Sequence, residues 1–368
     1  MRREITIRYE LLRDGAFCAF LSAFEDESPR LRCRRTDSLK TSFNACFSPV
    51  ARDAEGRPVE INWYKDEIQP VLSVDGADSP LGVFTVSRPD SLDDGVTDRI
   101  KVEAFDRCWR VKRTNSRARL YWPAGTLVLD AVEQLLSAAG VEVVFKTPSF
   151  AAFASDREDW DIGASYLTVI NQLLDEIGYQ SLWFDAQGAA VLAPKGLPEL
   201  GAAKHTLKAR RERREGEPPE MLGEHEAYLL PTVSRSADIY DTANVFIAVC
   251  ASPDLPQNLM ATAINDNPQS PLSTVSRGRE ICDVVYVDSI EDQAALQNYV
   301  NKRRDESMIG GETIRVETAL LPGWGVGDVV ALAYKDMMAV CISQAWDMEL
   351  RVGGSMTHTL ERIVYNLE

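Results

Sequence analysis

A chain of 368 residues, 45% hydrophobic and 26% charged, has the length for two or three packed domains and the composition of an ordinary globular protein, which excludes a disordered chain. Its formal charge of −16 argues against a non-specific nucleic-acid binder, because attraction to phosphate needs clustered Lys and Arg. No apolar run approaches the roughly 18 residues of a membrane span, and Met1 to Arg8 alternates like a strand instead of opening a signal peptide. Assembly in the cytoplasm, without stable membrane insertion, is therefore expected.

In chain order, residues 1–110 read as β-rich. Ile5, Ile7 and Tyr9 alternate with Thr6 and Arg8. Arg30 to Arg35 alternates charged and small residues, the pattern of an exposed or edge strand. Arg52 to Pro58 reads as a polar loop or hairpin tip. From Ile68 to Trp109 a meander of short antiparallel strands is predicted, turning at Asp75-Gly76, with Phe84 and Trp109 as core residues.

Residues 111–200 change period. Thr126 is positioned to cap a helix with Val128, Val132, Leu135, Leu136 and Ala139 on one face, stopped by Gly140. Val141 to Phe145 follows as a short strand. A second helix from Ser165 to Ile177 stops at Gly178, and Ser181 to Leu192 reads as a hairpin about the Asp185–Gly188 turn. This is a small α+β domain.

Residues 201–230 are broken by Gly201, Gly216, Pro218, Pro219 and Gly223 and read as a linker. Lys204 to Arg214 within them is the one concentrated basic run, expected to be a solvated connector or short exposed helix, or else a contact for an acidic partner such as a second copy. Residues 231–368 return to β character with one attached helix. Strands are predicted at Asn244–Cys250, Cys282–Val287 and Glu312–Leu320; Pro322 to Val330 reads as a turn into a strand with Met338–Gln344 as its partner, and Ser355–Tyr365 is the last strand. The helix runs to Ser307 from a capping box at Ser289 and Asp292, and Gly310-Gly311 is placed as its stop.

The chemistry of known sites is missing. There is no phosphate loop, dinucleotide fingerprint, H-E-x-x-H or nucleophile elbow. His205, His225 and His358 are scattered along the chain and assigned no metal. The acidic patch Asp156–Asp161 lacks calcium-loop spacing and contains Arg157, so it reads as a solvated loop. Asp93-Asp94-Gly95 reads as a turn, and Gly323, Gly325 and Gly327 around Trp324 as glycines that supply positive φ or room for close packing before a strand. Cys18, Cys33, Cys46, Cys108, Cys250, Cys282 and Cys341 contain no C-x-x-C pair and read as reduced, buried thiols. No catalytic, cofactor or metal residue is assigned, and no enzyme activity is expected.

Several stretches together resemble the central hub proteins of bacteriophage tails, the baseplate hub or tail-tip family. They are Lys40-Thr-Ser-Phe43, Ile68-Gln-Pro-Val71, Leu81-Gly-Val-Phe84 and Phe105-Asp-Arg-Cys-Trp109. Tyr121-Trp-Pro-Ala-Gly125 with Ala131 to Gly140 is similar to that family's middle domain. Asn244-Val-Phe-Ile247, Asn267 to Pro271, the helix from Ser289 and Gly327-Asp-Val-Val330 resemble its carboxy-terminal domain.

The resemblance implies two β-barrel tube-type domains (1–110 and 231–368) flanking the small α+β domain. It further implies a homotrimeric ring in the virion, adapting a sixfold tail tube or distal tail protein to a tip or spike protein. A tape-measure protein would be a neighbour, and DNA would pass transiently through an acidic lumen that repels it. The hub of a contractile injection or secretion device has the same architecture, and a cell-wall polymer hydrolase is the rival from another class. The chain ends at the close of the second β domain, so no appended lysin is expected.

Overall fold

The computed structural model describes residues 4–24, 27–93, 95, 98–196, 201, 203–210, 222–223, 225–237, 242–250, 258–287, 293–307 and 309–364. The fold is α+β and mostly β. Its amino-terminal strands are β1 (Ile5–Arg13), β2 (Ala16–Leu21), β3 (Arg30–Arg34), β4 (Thr41–Phe47), β5 (Ala51–Arg52), β6 (Pro58–Val59), β7 (Glu67–Val74), β8 (Ala77–Pro80), β9 (Phe84–Asp93) and β10 (Asp98–Asp106).

Strand β1 pairs with β2 and β7, β7 with β8 and β9, β9 with β10, and β10 with β4. Just past β2, Ala23 bridges Phe47 at the end of β4. The Phe24 N–H donates to the Cys46 carbonyl at 2.8 Å and the Ser48 N–H to that of Ser22 at 2.9 Å. Strands β4, β10, β9, β7, β1 and β2 therefore close into a six-stranded ring. The expected meander supplies three of its strands, plus β8 as an extra hairpin arm turning at Asp75 (φ 51°) and Gly76 (φ 84°).

The middle unit holds α1 (Cys108–Arg113), α2 (Val128–Ala138), β11 (Val144–Lys146), α3 (Tyr166–Glu176), β12 (Trp183–Phe184) and β13 (Ala190–Leu192). The apolar faces of α2 and α3 bury Val132, Leu136, Ile170, Leu173 and Leu174 against the β11-β13-β12 sheet. Both helices end as expected: Gly140 (φ 77°) and Gly178 (φ 69°) adopt the left-handed turn, and the next N–H reaches back to Leu136 and Leu174 respectively. Thr126 does not cap α2. Its hydroxyl donates to the Pro123 carbonyl at 2.8 Å, and Leu127 holds the cap position without a side-chain bond.

The last part contains β14 (His205–Lys208), β15 (Glu226–Ser236), β16 (Val245–Cys250), β17 (Leu259–Ile264), α4 (Thr274–Arg277), β18 (Cys282–Tyr286), α5 (Gln293–Ser307), β19 (Ile309–Ala319), β20 (Val329–Tyr334), β21 (Met337–Glu349) and β22 (Ser355–Ile363). Strands β14, β15, β19, β22, β21 and β20 pair in that order, and β20 closes back on β14. This is a second six-stranded barrel.

Three local readings change here. The front of the basic run is not a connector or helix: His205 to Lys208 is a barrel strand, its apolar Leu207 facing inward. Gly310 and Gly311 do not stop a helix but lie in β19, where its register against β22 slips between Ile309 and Thr313, as glycines commonly do at a bulge. Strands β16, β17 and β18 do not join the barrel. They form a separate three-stranded sheet with α5 packed on one face, inserted between β15 and β19. The capping box at Ser289 and Asp292, with Asp94 and Tyr365, lies outside the described residues.

The two six-stranded units are one sheet. Strand β3, read as exposed or edge, pairs on one side with β4 and on the other with β21, joining the units into a 16-stranded sheet. One apolar cluster runs through both, from Tyr9, Phe43 and Phe84 to Trp346, Met348 and Leu360. Phe84 is fully buried, its ring tilted against that of Phe43 with centroids 5.5 Å apart. Trp109, expected to be core, is only half-buried and lies in α1 against Phe105.

Removing a ring from each position should separate the two environments. Phe84→Ala is expected to cost about 3–5 kcal/mol in urea denaturation, and Trp109→Ala clearly less. Both variants should unfold the two barrels in one transition, because they share a core. Equal losses, or two resolved transitions, would contradict this reading.

Candidate functional site: the junction of the two barrels and the middle domain

The seam follows directly from strand alternation. In β3, Leu31 and Cys33 point into the core; in β21, Trp346 and Met348 do the same. The alternate residues meet outside: Arg32 pairs with Asp347 at 2.7 Å and Arg30 with Glu349 at 2.9 Å. All four are partly solvated, so each pair stabilises by about 0.2–1 kcal/mol at most. Their main effect is on register: a one-residue slip would turn the arginines into the core. Sequence reasoning missed this pairing. The visible signal was the same apolar-charged alternation in Arg30–Arg34 and Trp346–Glu349, with opposite charges.

The chain leaving β3 ties the seam to the middle domain. Lys40 is buried, and its ammonium donates to the Arg35 carbonyl at 2.7 Å and to Ser181 Oγ at 2.8 Å. Burial holds its pKa below the usual lysine range. Asp106 lies beside it, accepting from the Thr41 N–H at 2.9 Å and the Cys108 N–H at 3.0 Å, which fixes the start of α1. Burial pushes its carboxyl up to about 6, and the two backbone donors and Lys40 only partly offset this.

Arg107 grips Glu67 with two nitrogens, at 2.7 and 3.1 Å, and donates to the Gly188 carbonyl at 2.8 Å. Gly188 is needed for two reasons. Its φ is +80°, and a Cβ there would lie 2.9 Å from Val83. The Asp185–Gly188 hairpin turn is thus docked against the first barrel. A shallow crevice remains where the three units meet, lined by Phe84, Asp106, Phe184, Trp324 and Trp346.

The histidines, scattered in sequence, are brought together in the second barrel around Trp324. His205 stacks on it, centroids 4.2 Å apart and planes 4° apart; His358 lies at 4.3 Å, and His225 meets His205 edge-on at 5.3 Å. His205 Nε2 lies 3.1 Å from Asp328 Oδ2 and so donates to it. The Thr318 hydroxyl donates its proton to the Ala319 carbonyl, so His358 Nε2, 2.9 Å from Thr318 Oγ1, donates to that hydroxyl oxygen. The Nδ1 atoms of both rings and Nε1 of Trp324 are buried without a hydrogen-bond partner among the described residues. Among those residues no group of three His, Cys, Asp or Glu is arranged to hold a metal.

The remaining sequence candidates have structural partners. Gly323 (φ 78°) and Gly327 (φ 71°) make the turns of the loop carrying Trp324, and the Gly325 N–H donates to Asp328 at 2.6 Å. In the acidic patch, Arg157 pairs with Asp159 and Glu176, Asp156 accepts from Tyr121 and the Ala124 N–H, and Asp161 and Glu158 face Arg119. Asp93 accepts from the Gly95 N–H at 2.8 Å, a turn contact. The cysteines are free; Cys18 is half-buried, Cys282 exposed and the other five buried. No constellation of nucleophile, base and oxyanion donors is seen among these residues.

The architecture has solved counterparts. It matches a tail protein from Neisseria meningitidis MC58 with a TM-score of 0.64 and 12% identity, over 97% of this chain and 96% of that one. It matches the 43 kDa tail protein of prophage MuSo2 from Shewanella oneidensis with a TM-score of 0.62 and 10% identity, over 96% and 98%. This chain has the fold of phage tail proteins. A third match is the E. coli c3393 protein, described as a component of the type VI secretion system with structural similarity to phage T4 tail proteins. Its TM-score is 0.50 at 11% identity, over 100% of this chain and 77% of that one. No protein-family model matches the sequence, and no curated protein does either.

The junction predicts two opposed pH responses. His358 is held neutral by burial, at about 3 against an ordinary 6.5, and His205 is shifted the same way. The unfolded chain therefore takes up more protons there, and this contribution to stability is lost as pH falls below 6.5. Asp106, at about 6 against an ordinary 3.8, acts in reverse: between those values the folded state holds the extra proton, so acidification stabilises. Between pH 7 and 5, His358→Phe should lose less melting temperature than the parent, and Asp106→Asn should lose more. Parallel pH profiles for all three proteins would refute these assignments.

Proposed function

We propose that this protein is the structural hub of a phage or prophage-derived tail. Three copies would form a ring that adapts a sixfold tail tube to a tip or spike protein and leaves a channel for DNA. The observation that carries this reading is the pair of six-stranded barrels fused through β3 and β21: three copies present six barrel units around one axis. The fold shared with phage tail proteins supports it. The net charge of −16 is compatible with a lumen that repels DNA and lets it slide. Tail-tube or distal tail proteins above, a tape-measure protein within and a spike below are the proposed partners, with the virion tail as the final location.

The domain division 1–110, 111–200 and 231–368 is proposed with one amendment. Residues 205–208 and 226–230 belong to strands of the second barrel, so the 201–230 connector is not all linker. The likeness to the type VI secretion component favours a second reading, the hub of an injection device, which differs in cargo and leaves the architecture unchanged.

Mass photometry of the full chain at micromolar concentration should show a trimer, alone or with tail-tube and spike proteins present. A strict monomer under both conditions would overturn the ring. We take the chain to be structural and not enzymatic; release of soluble fragments from purified peptidoglycan by the protein would overturn that.

A further inference from the structure

The inserted sheet β17-β16-β18 has two unlike faces. One is covered by α5: Ala248, Ala261 and Ala263 pack on Leu296 and Val300, and Arg303 holds Asp283 at 2.6 Å. The outer edge of β17 is also occupied, since Gln293 and Gln297 of α5 donate to the carbonyls of Met260 and Thr262 at 3.0 Å each. Strand addition at that edge is therefore blocked.

The opposite face is open except at Val245, which is buried. The registers place Met260, Val249 and Tyr286 in one row, Thr262, Ile247 and Val284 in the next, and Ile264, Val245 and Cys282 in the third. None of these nine side chains is charged. Met260, Ile264, Val284 and Tyr286 are 63%, 42%, 47% and 73% exposed. Together they show on the order of 400 Å² in one patch, the size of the largest apolar patch on a typical monomer, which is often functional. Sheets with parallel pairs, like β16 with β18, are normally covered on both faces. The longest stretch outside the described residues, 211–221, is dominated by Arg and Glu and has no aliphatic run to lay across it.

We propose that this face is where one copy of the chain docks on the next. The inference rests on the ring reading above and deepens it by naming the contact. Charge chooses the occupant. Each copy carries −16, so two copies repel through most of their surface, and a contact between them needs a patch that places no carboxylate against another. A basic partner or nucleic acid would instead be met by acidic side chains, and this face has none. The area is about half of one side of a standard interface. In a closed ring each copy contributes two unlike patches, with polar flanks completing each contact.

The test is sedimentation velocity or mass photometry of the full-length protein and of Val284→Lys and Tyr286→Ser. The parent is expected to be a trimer. Both variants should need at least tenfold higher concentration to assemble, with the circular-dichroism melting curve of the parent retained. If Val284→Lys loses its fold, Tyr286→Ser decides, since it removes exposed apolar surface without adding charge. A trimeric parent with variants that assemble equally well overturns this face while leaving the ring intact. Variants that stay trimeric but lose binding to a tail-tube or spike protein assign the face to that protein and overturn the copy-to-copy contact. A parent that is monomeric under every condition removes the ring and this proposal together.

Discussion

The pairing of β3 with β21 is the constraint on which the rest of the molecule depends. It joins strands more than three hundred residues apart in sequence and turns two six-stranded units into one sheet over one core. A contact of such long range is costly in chain entropy to close, and it persists because it buries Leu31, Cys33, Trp346 and Met348 together. The exposed Arg-carboxylate pairs contribute less energy than register, since charge turned inward costs far more than charge paired outward returns. With the register fixed, the loop after β3 has one path. It carries Arg35 against Gly327 and Lys40 onto Ser181, so the second barrel and the middle domain are located by the same eleven residues, 30–40.

That arrangement concentrates polar groups where three hydrophobic units meet. Asp106 and Lys40 are buried together without a direct bond between them in the structure, each satisfied mainly by backbone or hydroxyl partners. Across the crevice, two imidazoles and an indole are packed with nitrogens unpartnered among the described residues. Buried groups of this kind stabilise little in themselves and penalise alternatives: a displaced hairpin turn would strand the Asp106 carboxylate, and a displaced Trp324 loop would expose His205 and strand Asp328. The polar cluster therefore specifies one docking geometry, while the apolar core supplies most of the stability.

The sequence was most legible where the signal was local. The faces of α2 and α3, their Gly140 and Gly178 stops and the Asp185–Gly188 turn are each decided within a dozen residues, by periodicity or by the need for positive φ. Strand alternation likewise located β10, β16 and β21. The strand in the basic run was hidden because its pattern is short, with only His205 and Leu207 facing inward amid lysines. The seam was hidden for a different reason: alternation names a strand's two faces but not its neighbour, and β3 looks like an edge until β21 is placed beside it. The histidine cluster was invisible because its members come from β14, β22 and the turn just before β15, which meet only when the barrel closes.

The two barrels are alike in strand number and unlike in closure. In the second, β20 pairs with β21 along a full antiparallel ladder and with β14 along a parallel one. In the first, among the described residues, the last gap is spanned by one bridge between Ala23 and Phe47 with its two flanking hydrogen bonds. Fewer ladder bonds at that gap, and only two paired positions between β7 and β9, make these the places where the first barrel opens most readily; in the second, among the described residues, the shortest ladder is the three-residue one between β14 and β15. In the proposed ring, loosely and tightly closed units would alternate around the axis. A partner with true sixfold symmetry could not then bind all six through the same side chains, because the sequences lining the two barrels differ. It would have to engage what the units have in common, the backbone path and spacing of six strands. A tolerance of that kind is what a trimeric adaptor beneath a sixfold tube requires.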